Sequence, residues 1–348
     1  MKEKTANLPS PQKNRDEYLD CCRALCFVLV VMHHSGFPYG KYILGFHMPC
    51  FFIISGMVLN TIKVSERDPI AFCIKRFKQL IIPYFVYEFL NLFISFFINL
   101  IRQHYFQIDI AAAIKSIITC INSEQYTGIS MRLWFLPCMA IASSVFVLLL
   151  PKRKIAFPIH LTILALIAFF HYLLTAYLPV RLPFTLDISL FALLWVWMGY
   201  VLKDILYRVR KLGMMMKAFI FLSFLILFIL SVYYNPQPLY MYDNTYGVYP
   251  LAFLSSFFGS FCFLFLIDII PETVLSFSCC KAILDWINSN SIDMFPIHIN
   301  LLFFIRPLSR SLFSFFPIFC GPFNTVLVFL AMYPVLFLKN ILCRQSKK

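Results

Sequence analysis

The chain has 348 residues, of which 61% are hydrophobic and only 13% are charged. A soluble domain of this length could not bury so much apolar surface in one core, so the composition excludes an ordinary soluble enzyme. The net charge of +14 is spread over short segments between apolar runs. It does not form a soluble basic face with stacking aromatic residues, which excludes a nucleic-acid partner. The 12 cysteines have no metal-ligand spacing and lie mostly within the apolar runs, so we expect no metal site and no disulfide.

Ten apolar stretches of about 20 residues, the length of a bilayer-spanning helix, follow one another along the chain. They are unbroken runs, unlike the alternating segments of a membrane barrel, and predict an all-α polytopic membrane protein. We expect a tail at residues 1–18, a ten-helix domain at residues 19–342 and a second tail at residues 343–348. The predicted spans are 19–37, 42–62, 80–101, 133–150, 157–178, 184–202, 217–234, 247–270, 286–305 and 322–342.

The basic residues indicate the orientation of these spans. Of the 30 Lys and Arg residues, 22 fall in the segments that are inside when the N-terminus is cytoplasmic, and seven fall in outside segments. Because cytoplasmic loops carry the excess of Lys and Arg, both termini are predicted to be cytoplasmic, in a multi-pass protein of the cell (inner) membrane. The first apolar run is long and carries charge, so we expect a retained helix and not a cleaved signal peptide. The outer segment "IDIAAAIKSIITCI" is too short to span and predicts an interfacial or re-entrant helix.

The first predicted helix carries charged and imidazole side chains in an otherwise apolar segment. Arg23 and His34 are eleven residues apart, which is three helical turns, so both lie on one face about 16 Å apart. Asp20 shares that face, three residues before Arg23, and can pair with the guanidinium. His33 lies about 100° away around the helix. In the structural alternative, Arg23 snorkels to lipid headgroups and His34 makes a hydrogen bond to a neighbouring helix.

The second span returns through "GFHMPCFFIISG", residues 45–56, and its His47 enters the membrane at a depth similar to that of His34. Pro49 lacks an N–H group and therefore frees a backbone carbonyl beside His47. Deeper in this span, Ser55 and Gly56 are small residues that allow another helix to approach closely.

Later spans carry further polar residues that are costly at membrane depth. Glu88, in the middle of the third span, predicts a His or Arg partner. Arg132 and Trp134, at the outer end of the fourth span, could hold a sugar or form an interfacial anchor. His171, in the fifth span, is expected to be structural. The ninth span carries a group of polar residues, Asn288, Asn290, Asp293 and His298.

Together, these segments resemble acyltransferase family 3, whose members acetylate sugars and cell-surface glycans. The hallmark of that family is an arginine, ten further residues and a histidine on the first helix, which Arg23 and His34 match. Further segments fit the family in order and at suitable spacing: "YLDCCRAL", "FHMPCFFIISGMVLN", "IKRFKQLIIPYF", "LWFLP" and "SNSIDMFPIHI". The last of them departs slightly, because Phe-Pro stands where relatives more often carry an aromatic and aliphatic pair before the histidine.

The resemblance implies transfer of an acyl group, usually acetyl from acetyl-CoA, to a hydroxyl of a surface or lipid-linked sugar, with no metal. Acetyl-CoA, a carbohydrate acceptor and the lipid bilayer are then the partners. A hydroxyl becomes a good nucleophile when a base takes its proton, so His34 is the expected general base, and His47 assists it or binds the acceptor. The phosphates of CoA require cations on the cytosolic side, and the expected donor-binding residues are Arg23, Ser55, Lys75, Arg76 and Lys78. The expected acceptor-binding or supporting residues are Asp20, Glu88, Arg132, Trp134 and His298.

Other functions fit the sequence less well. A transporter or flippase of a glycan or lipid-linked intermediate is the main alternative, but such proteins usually show inverted repeats or paired broken helices, and we detect neither in the sequence. A scaffolding membrane protein has no need of an Arg–His face. A glycan polymerase favours a large outer loop rich in arginine and aromatic residues. For the basic residues at positions 75, 76 and 78, simple positive-inside anchoring is the alternative to donor binding.

Overall fold

The computed structural model describes residues 16–59, 68–103, 110–120, 133–150, 155–178, 181–270 and 277–345. In these ranges the chain is helical, and the β pairing recorded there is an isolated bridge between Tyr240 and Thr245. The described residues form twelve α-helices: α1 Glu17–His34, α2 Gly40–Leu44, α3 His47–Val58, α4 Pro69–Gln103, α5 Ile110–Thr119, α6 Phe135–Leu149, α7 Phe157–Tyr177, α8 Leu186–Arg210, α9 Met214–Tyr234, α10 Tyr249–Ile269, α11 Ser278–Leu312 and α12 Cys320–Gln345. Three short 3₁₀ helices connect some of them, Pro183–Thr185, Met241–Asp243 and Pro317–Phe319.

Seven segments of the described chain are long and apolar enough to cross a membrane, which makes this a multi-pass membrane protein. They are Gly40–Val58, Pro69–Ile94, Phe157–Tyr177, Pro183–Arg210, Met214–Tyr234, Tyr249–Ile269 and Pro317–Lys339. The three other predicted spans fall on α6, which has only 15 residues, and on α1 and α11, which carry charged residues among the apolar ones. All-helical architecture is therefore confirmed, while ten crossings and cytoplasmic termini stay predictions.

The second predicted span is not the single helix that the sequence suggested. It is split into α2 and α3 at Gly45 and Phe46, and residues 60–62 of the prediction lie outside the described chain. Pro49 has no N–H to donate to the Gly45 carbonyl, which leaves that oxygen without its helical partner. The hydroxyls of Ser255 and Ser256 on α10 donate to it instead, at 3.4 and 3.2 Å. The break places His47 at the first position of α3.

Helices α3 and α8 form the centre of the bundle. They pack on each other, α3 also contacts α1 and α10, and α8 contacts α6 and α7. At their crossing, a Cβ atom on Gly56 would lie 1.9 Å from the Val196 carbonyl oxygen, and one on Gly199 would lie 2.0 Å from that of Ile53. The close approach expected at Gly56 is thus confirmed. Helices α7 and α9, whose large apolar side chains are mostly exposed, form part of the outer layer, where lipid would lie.

We call the end of the bundle at which α1 begins the inner end, and the end at which α1 stops at His34 the outer end. At the inner end, Asp268 of α10 pairs with Arg210 of α8 and Lys217 of α9, both at 2.8 Å. The guanidinium of Arg210 also lies 3.6 Å from the centre of the Tyr18 ring on α1. These contacts tie four helices together at one end of the bundle.

The helices extend slightly beyond the predicted domain limits. Helix α1 starts at Glu17, two residues before position 19, and α12 continues to Gln345, three residues past position 342. Helical hydrogen bonding continues past the last apolar residue, so hydropathy underestimates the helix ends. The rest of the tail at residues 1–18 and the last residues, 346–348, lie outside the described chain. A short helix in the predicted outer segment is confirmed as α5, while its interfacial or re-entrant position stays a prediction. Tyr84 of α4 donates to the Ile117 carbonyl of α5 at 2.6 Å.

Candidate functional site

Four imidazole rings lie next to one another at the outer end of α1, and we call them the histidine cluster: His33, His34, His47 and His298. The ring centres of His33 and His34 are 5.2 Å apart, those of His33 and His47 are 5.7 Å apart, and those of His34 and His298 are 5.3 Å apart. The predicted site residues His34, His47 and His298 are therefore brought together from three separate helices, α1, α3 and α11.

The position of His33 differs from the sequence-based expectation. Its angle around α1 suggested that it faces away from His34 and from the site. Helix α3 packs against the side of α1 that carries His33 and brings His47 to it. His33 therefore lies between His34 and His47, and the expectation that it faces elsewhere was wrong.

Hydrogen bonds define the tautomers of two members of the cluster. His47 Nδ1 lies 2.7 Å from the Ile43 carbonyl oxygen, and His298 Nδ1 lies 3.0 Å from the Met294 carbonyl oxygen. A carbonyl only accepts, so each Nδ1 carries the hydrogen and each Nε2 keeps its lone pair. Both side chains are buried, with 3% and 1% exposure. These imidazoles can thus accept a hydrogen bond or a proton at Nε2.

Below the histidine cluster, four phenylalanine rings form what we call the aromatic layer: Phe27, Phe51, Phe135 and Phe295. Phe135 and Phe295 are stacked at 4.8 Å, Phe27 meets Phe295 edge-on at 5.0 Å, and Phe51 lies 5.7 Å from Phe295. Each ring comes from a different helix, α1, α3, α6 or α11, and all four are buried. The aromatic layer gives the histidine cluster an apolar floor, where electrostatic interactions are stronger than in water.

The last carbonyls of α1 are held by side chains from the end of the sequence. The guanidinium of Arg306 on α11 donates to the His34 carbonyl oxygen, and Asn324 Nδ2 on α12 donates to that of Ser35 at 3.0 Å. Carbonyls at a helix C-terminus lack intrahelical partners and attract cations. Neither residue was predicted from the sequence. For Arg306, the sequence offered one indication: it lies eight residues after His298, about two helical turns, and so falls near the same face of α11.

A cavity of about 290 Å³ opens at the inner end of α1. It is lined by the predicted donor-binding residues Arg23, Ser55, Lys75 and Arg76, together with Gln79 and apolar neighbours. Three basic side chains in one cavity create a positive potential of the kind that attracts anions. The predicted Lys78 does not line it and lies in an adjacent shallow groove of about 440 Å³, shared with Lys75 and Gln79.

The guanidinium of Arg23 is fixed in place. Its Nη2 pairs with Asp20 at 3.1 Å, as the sequence predicted, and its Nε donates to Asn288 Oδ1 of α11 at 2.9 Å. Asn288 in turn donates to the Asp20 carbonyl at 2.8 Å. Arg76 is held similarly, because its Nε donates to Ser143 Oγ at 3.2 Å. These contacts argue against a freely snorkelling Arg23.

The remaining predicted residues are not among those that line the basic cavity or form the histidine cluster. Within the described residues, Glu88 is buried without the His or Arg partner that the sequence suggested. Arg181 pairs instead with Asp187, at 2.5 Å. Trp134 is buried in the core and is not an exposed interfacial anchor. Arg132 lies outside the described residues.

His171 has the structural role that the sequence suggested. Its Nδ1 lies 2.9 Å from the hydroxyl of Tyr249, and its Nε2 lies 3.3 Å from that of Tyr246. The ring also stacks on Phe191 at 5.0 Å. Both nitrogens are thus engaged, in contrast to His298, whose Nε2 has no hydrogen-bond partner among the described residues.

The described residues contain no group of three His, Cys, Asp or Glu side chains arranged to hold a metal ion. The arrangement is instead suited to acid–base chemistry at one end of α1 and anion binding at the other, about 16 Å apart along the helix. The family model described as "Acyltransferase domain", that of acyltransferase family 3, matches residues 16–342. No curated protein and no solved structure matches the chain.

Proposed function

The chain belongs to acyltransferase family 3, and on that premise we propose that it transfers an acetyl group from cytosolic acetyl-CoA to a hydroxyl of a surface or lipid-linked sugar. It is a membrane acyltransferase by family and by its apolar helices. The finer assignment is supported by one observation above all: a basic cavity and a histidine cluster occupy the two ends of a single helix, α1. We place the protein in the inner membrane, with the basic cavity toward the cytosol.

The donor site is the cavity at the inner end. The phosphates of CoA are polyanionic, and Arg23, Lys75 and Arg76 supply three cations around one space. Because Asp20 and Asn288 already fix the Arg23 guanidinium, little side-chain entropy is lost when a phosphate binds. The thioester arm then extends along α1 toward the outer end.

The chemical step takes place at the histidine cluster. The Nε2 of His47 accepts a hydrogen bond from the incoming sugar and helps to orient it. His34 removes the proton of the attacking hydroxyl as its oxygen bonds to the thioester carbonyl carbon. The carbon–sulfur bond then breaks, and His34 returns the proton to the thiolate of CoA. The sugar ester and CoA are released on opposite sides of the membrane.

The test compares surface glycans of cells with and without the gene by mass spectrometry. We expect an acetyl-sized mass to disappear from the glycan when the gene is deleted and to return with the native gene, but not with His34→Ala. Full acetylation after deletion would contradict the proposal. A glycan that is fully acetylated but no longer reaches the cell surface would indicate the transporter or flippase alternative.

A further inference from the structure

His298 is a buried histidine that the proposed reaction leaves without a role. Its Nδ1–H donates to the Met294 carbonyl, so Nε2 carries a lone pair. That Nε2 atom is buried and has no hydrogen-bond partner within the described chain. An unsatisfied buried acceptor destabilises the folded state. We therefore expect His298 Nε2 to accept a hydrogen bond from a donor during the reaction.

The surroundings of His298 leave His34 as that donor. The rings of Phe27 and Phe295 lie 5.9 and 6.4 Å from the His298 ring and offer no polar hydrogen. Arg306 faces His298 as well; one of its N–H groups donates to the His34 carbonyl, and none of them bonds to His298 Nε2 in the structure. The His34 ring lies 5.3 Å away. This bond is not made in the structure, but a rotation of the His34 ring that points one nitrogen at His298 Nε2 would bring the two nitrogens to about 3 Å, the length of a hydrogen bond.

Among the residues that the structure describes, no carboxylate faces His34. The titratable and charged groups that face it are His33 of its own helix, His47 of α3, and His298 and Arg306 of α11. In many acid–base sites a carboxylate accepts the second ring N–H of the catalytic histidine and fixes its tautomer. Here the imidazole of His298 lies beside His34 in place of a carboxylate.

We propose that His298 is a positioning residue whose Nε2 accepts a hydrogen bond from the ring N–H of His34. This bond turns the other nitrogen of His34 toward the sugar hydroxyl and stabilises the imidazolium while it holds the proton. The proton itself passes from the hydroxyl to His34 and then to the CoA thiolate, and His298 neither gains nor loses one. The inference rests on the proposed role of His34 as the base.

The experiment uses membrane vesicles that contain the full-length protein, with radiolabelled acetyl-CoA as donor and the cells' own surface glycan as acceptor. Rates are divided by the amount of folded protein, measured as the monodisperse fraction after detergent extraction. His298→Phe keeps an aromatic ring but removes the acceptor, and we expect it to lower kcat about 10- to 100-fold at an unchanged KM for acetyl-CoA. His298→Gln keeps an acceptor oxygen and should recover much of that loss. His171→Phe is the matched control and should reduce only the amount of folded protein.

Two outcomes would overturn the inference while leaving the proposed function in place. One is a kcat per folded His298→Phe molecule within about twofold of the native value, with His34→Ala inactive. The other is an equal loss of kcat in His298→Gln and His298→Phe, which would indicate a packing role. If His298→Phe does not fold, His298→Met takes its place. Undiminished turnover by His34→Ala would instead overturn the assignment of the base and this inference with it.

Discussion

Individual residues at the two ends of α1 determine whether this chain can catalyse transfer. The sequence predicted Arg23, Asp20 and His34 correctly as a common face because helical geometry alone relates them. It could not predict the contacts of Asn288 and Arg306 with α1, since they join residues 265 and 272 positions apart in the sequence. His33 was misjudged for the same reason, because its surroundings are set by α3 and not by its own helix.

Replacement of His34 by alanine is expected to abolish detectable transfer. General-base catalysis contributes about 10²–10⁴ in rate, and the site at the other end of α1 is untouched by this change. Expression and acetyl-CoA binding should stay close to native values, measured by detergent-extracted yield and by equilibrium binding of labelled acetyl-CoA. His33→Ala should be milder, because His33 contacts His34 and His47 but is not the assigned base. Loss of turnover in His33→Ala with His34→Ala active would reverse the two assignments.

Arg23→Lys should raise the KM for acetyl-CoA by roughly tenfold or more. A lysine ammonium does not reproduce the planar fork that contacts Asp20 and Asn288 at once. Lys78→Gln is the control, since Lys78 lies outside the cavity, and its KM should change little. If the native protein and Arg23→Lys had equal rates at limiting acetyl-CoA, Arg23 would not bind the donor, and its role would be to contact lipid headgroups.

For the secondary-structure elements, hydropathy predicted the positions of the helices well. It did not predict the break between α2 and α3. The split between α2 and α3 follows from Pro49 and from two serines on α10 more than 200 positions away, which no local pattern reveals. Helix α11 extends over 35 residues, although only about 20 are needed to span a bilayer. The break between α2 and α3 therefore depends on tertiary contacts, which hydropathy does not detect.

The crossing of α3 and α8 predicts a sharp difference between two glycines. Gly199→Ala would place a methyl group 2.0 Å from the Ile53 carbonyl oxygen, forcing the helices apart at a cost of about 1–3 kcal/mol or more. Gly213→Ala meets nothing within 4 Å and should leave stability unchanged. Fluorescence-detected gel filtration after heating in detergent would measure both. A native melting profile for Gly199→Ala would mean that the helices are not in contact there.

For the whole molecule, the distribution of basic residues predicts that both termini face the cytosol. The ion pairs of Asp268 and the contact of Arg210 with Tyr18 tie α1, α8, α9 and α10 together at the inner end. That end carries the basic cavity as well, which fits a donor arriving from the cytosol.

Cysteines introduced at positions 244 and 346 test this orientation. In intact cells, a membrane-impermeant maleimide should label Asn244→Cys and spare Ser346→Cys, although residue 346 lies outside the described chain. Permeabilisation should make the second site reactive. The native chain supplies the background from its own cysteines, and the opposite labelling pattern would overturn both the topology and the cytosolic donor site.

The aromatic layer has a consequence for the energetics of the host cell. A protein that passes a chemical group through a bilayer risks opening a conduit for protons, which would dissipate the ion gradient on which the cell depends. Four phenylalanine rings from four helices lie between the two polar sites, and we expect them to block proton passage until the thioester arm of the donor displaces them. Phe295→Ala removes the ring that touches the other three. In proteoliposomes with an entrapped pH-sensitive dye, this variant should collapse an imposed pH gradient faster than the native protein. Unchanged gradient decay would mean that insulation lies elsewhere in the bundle.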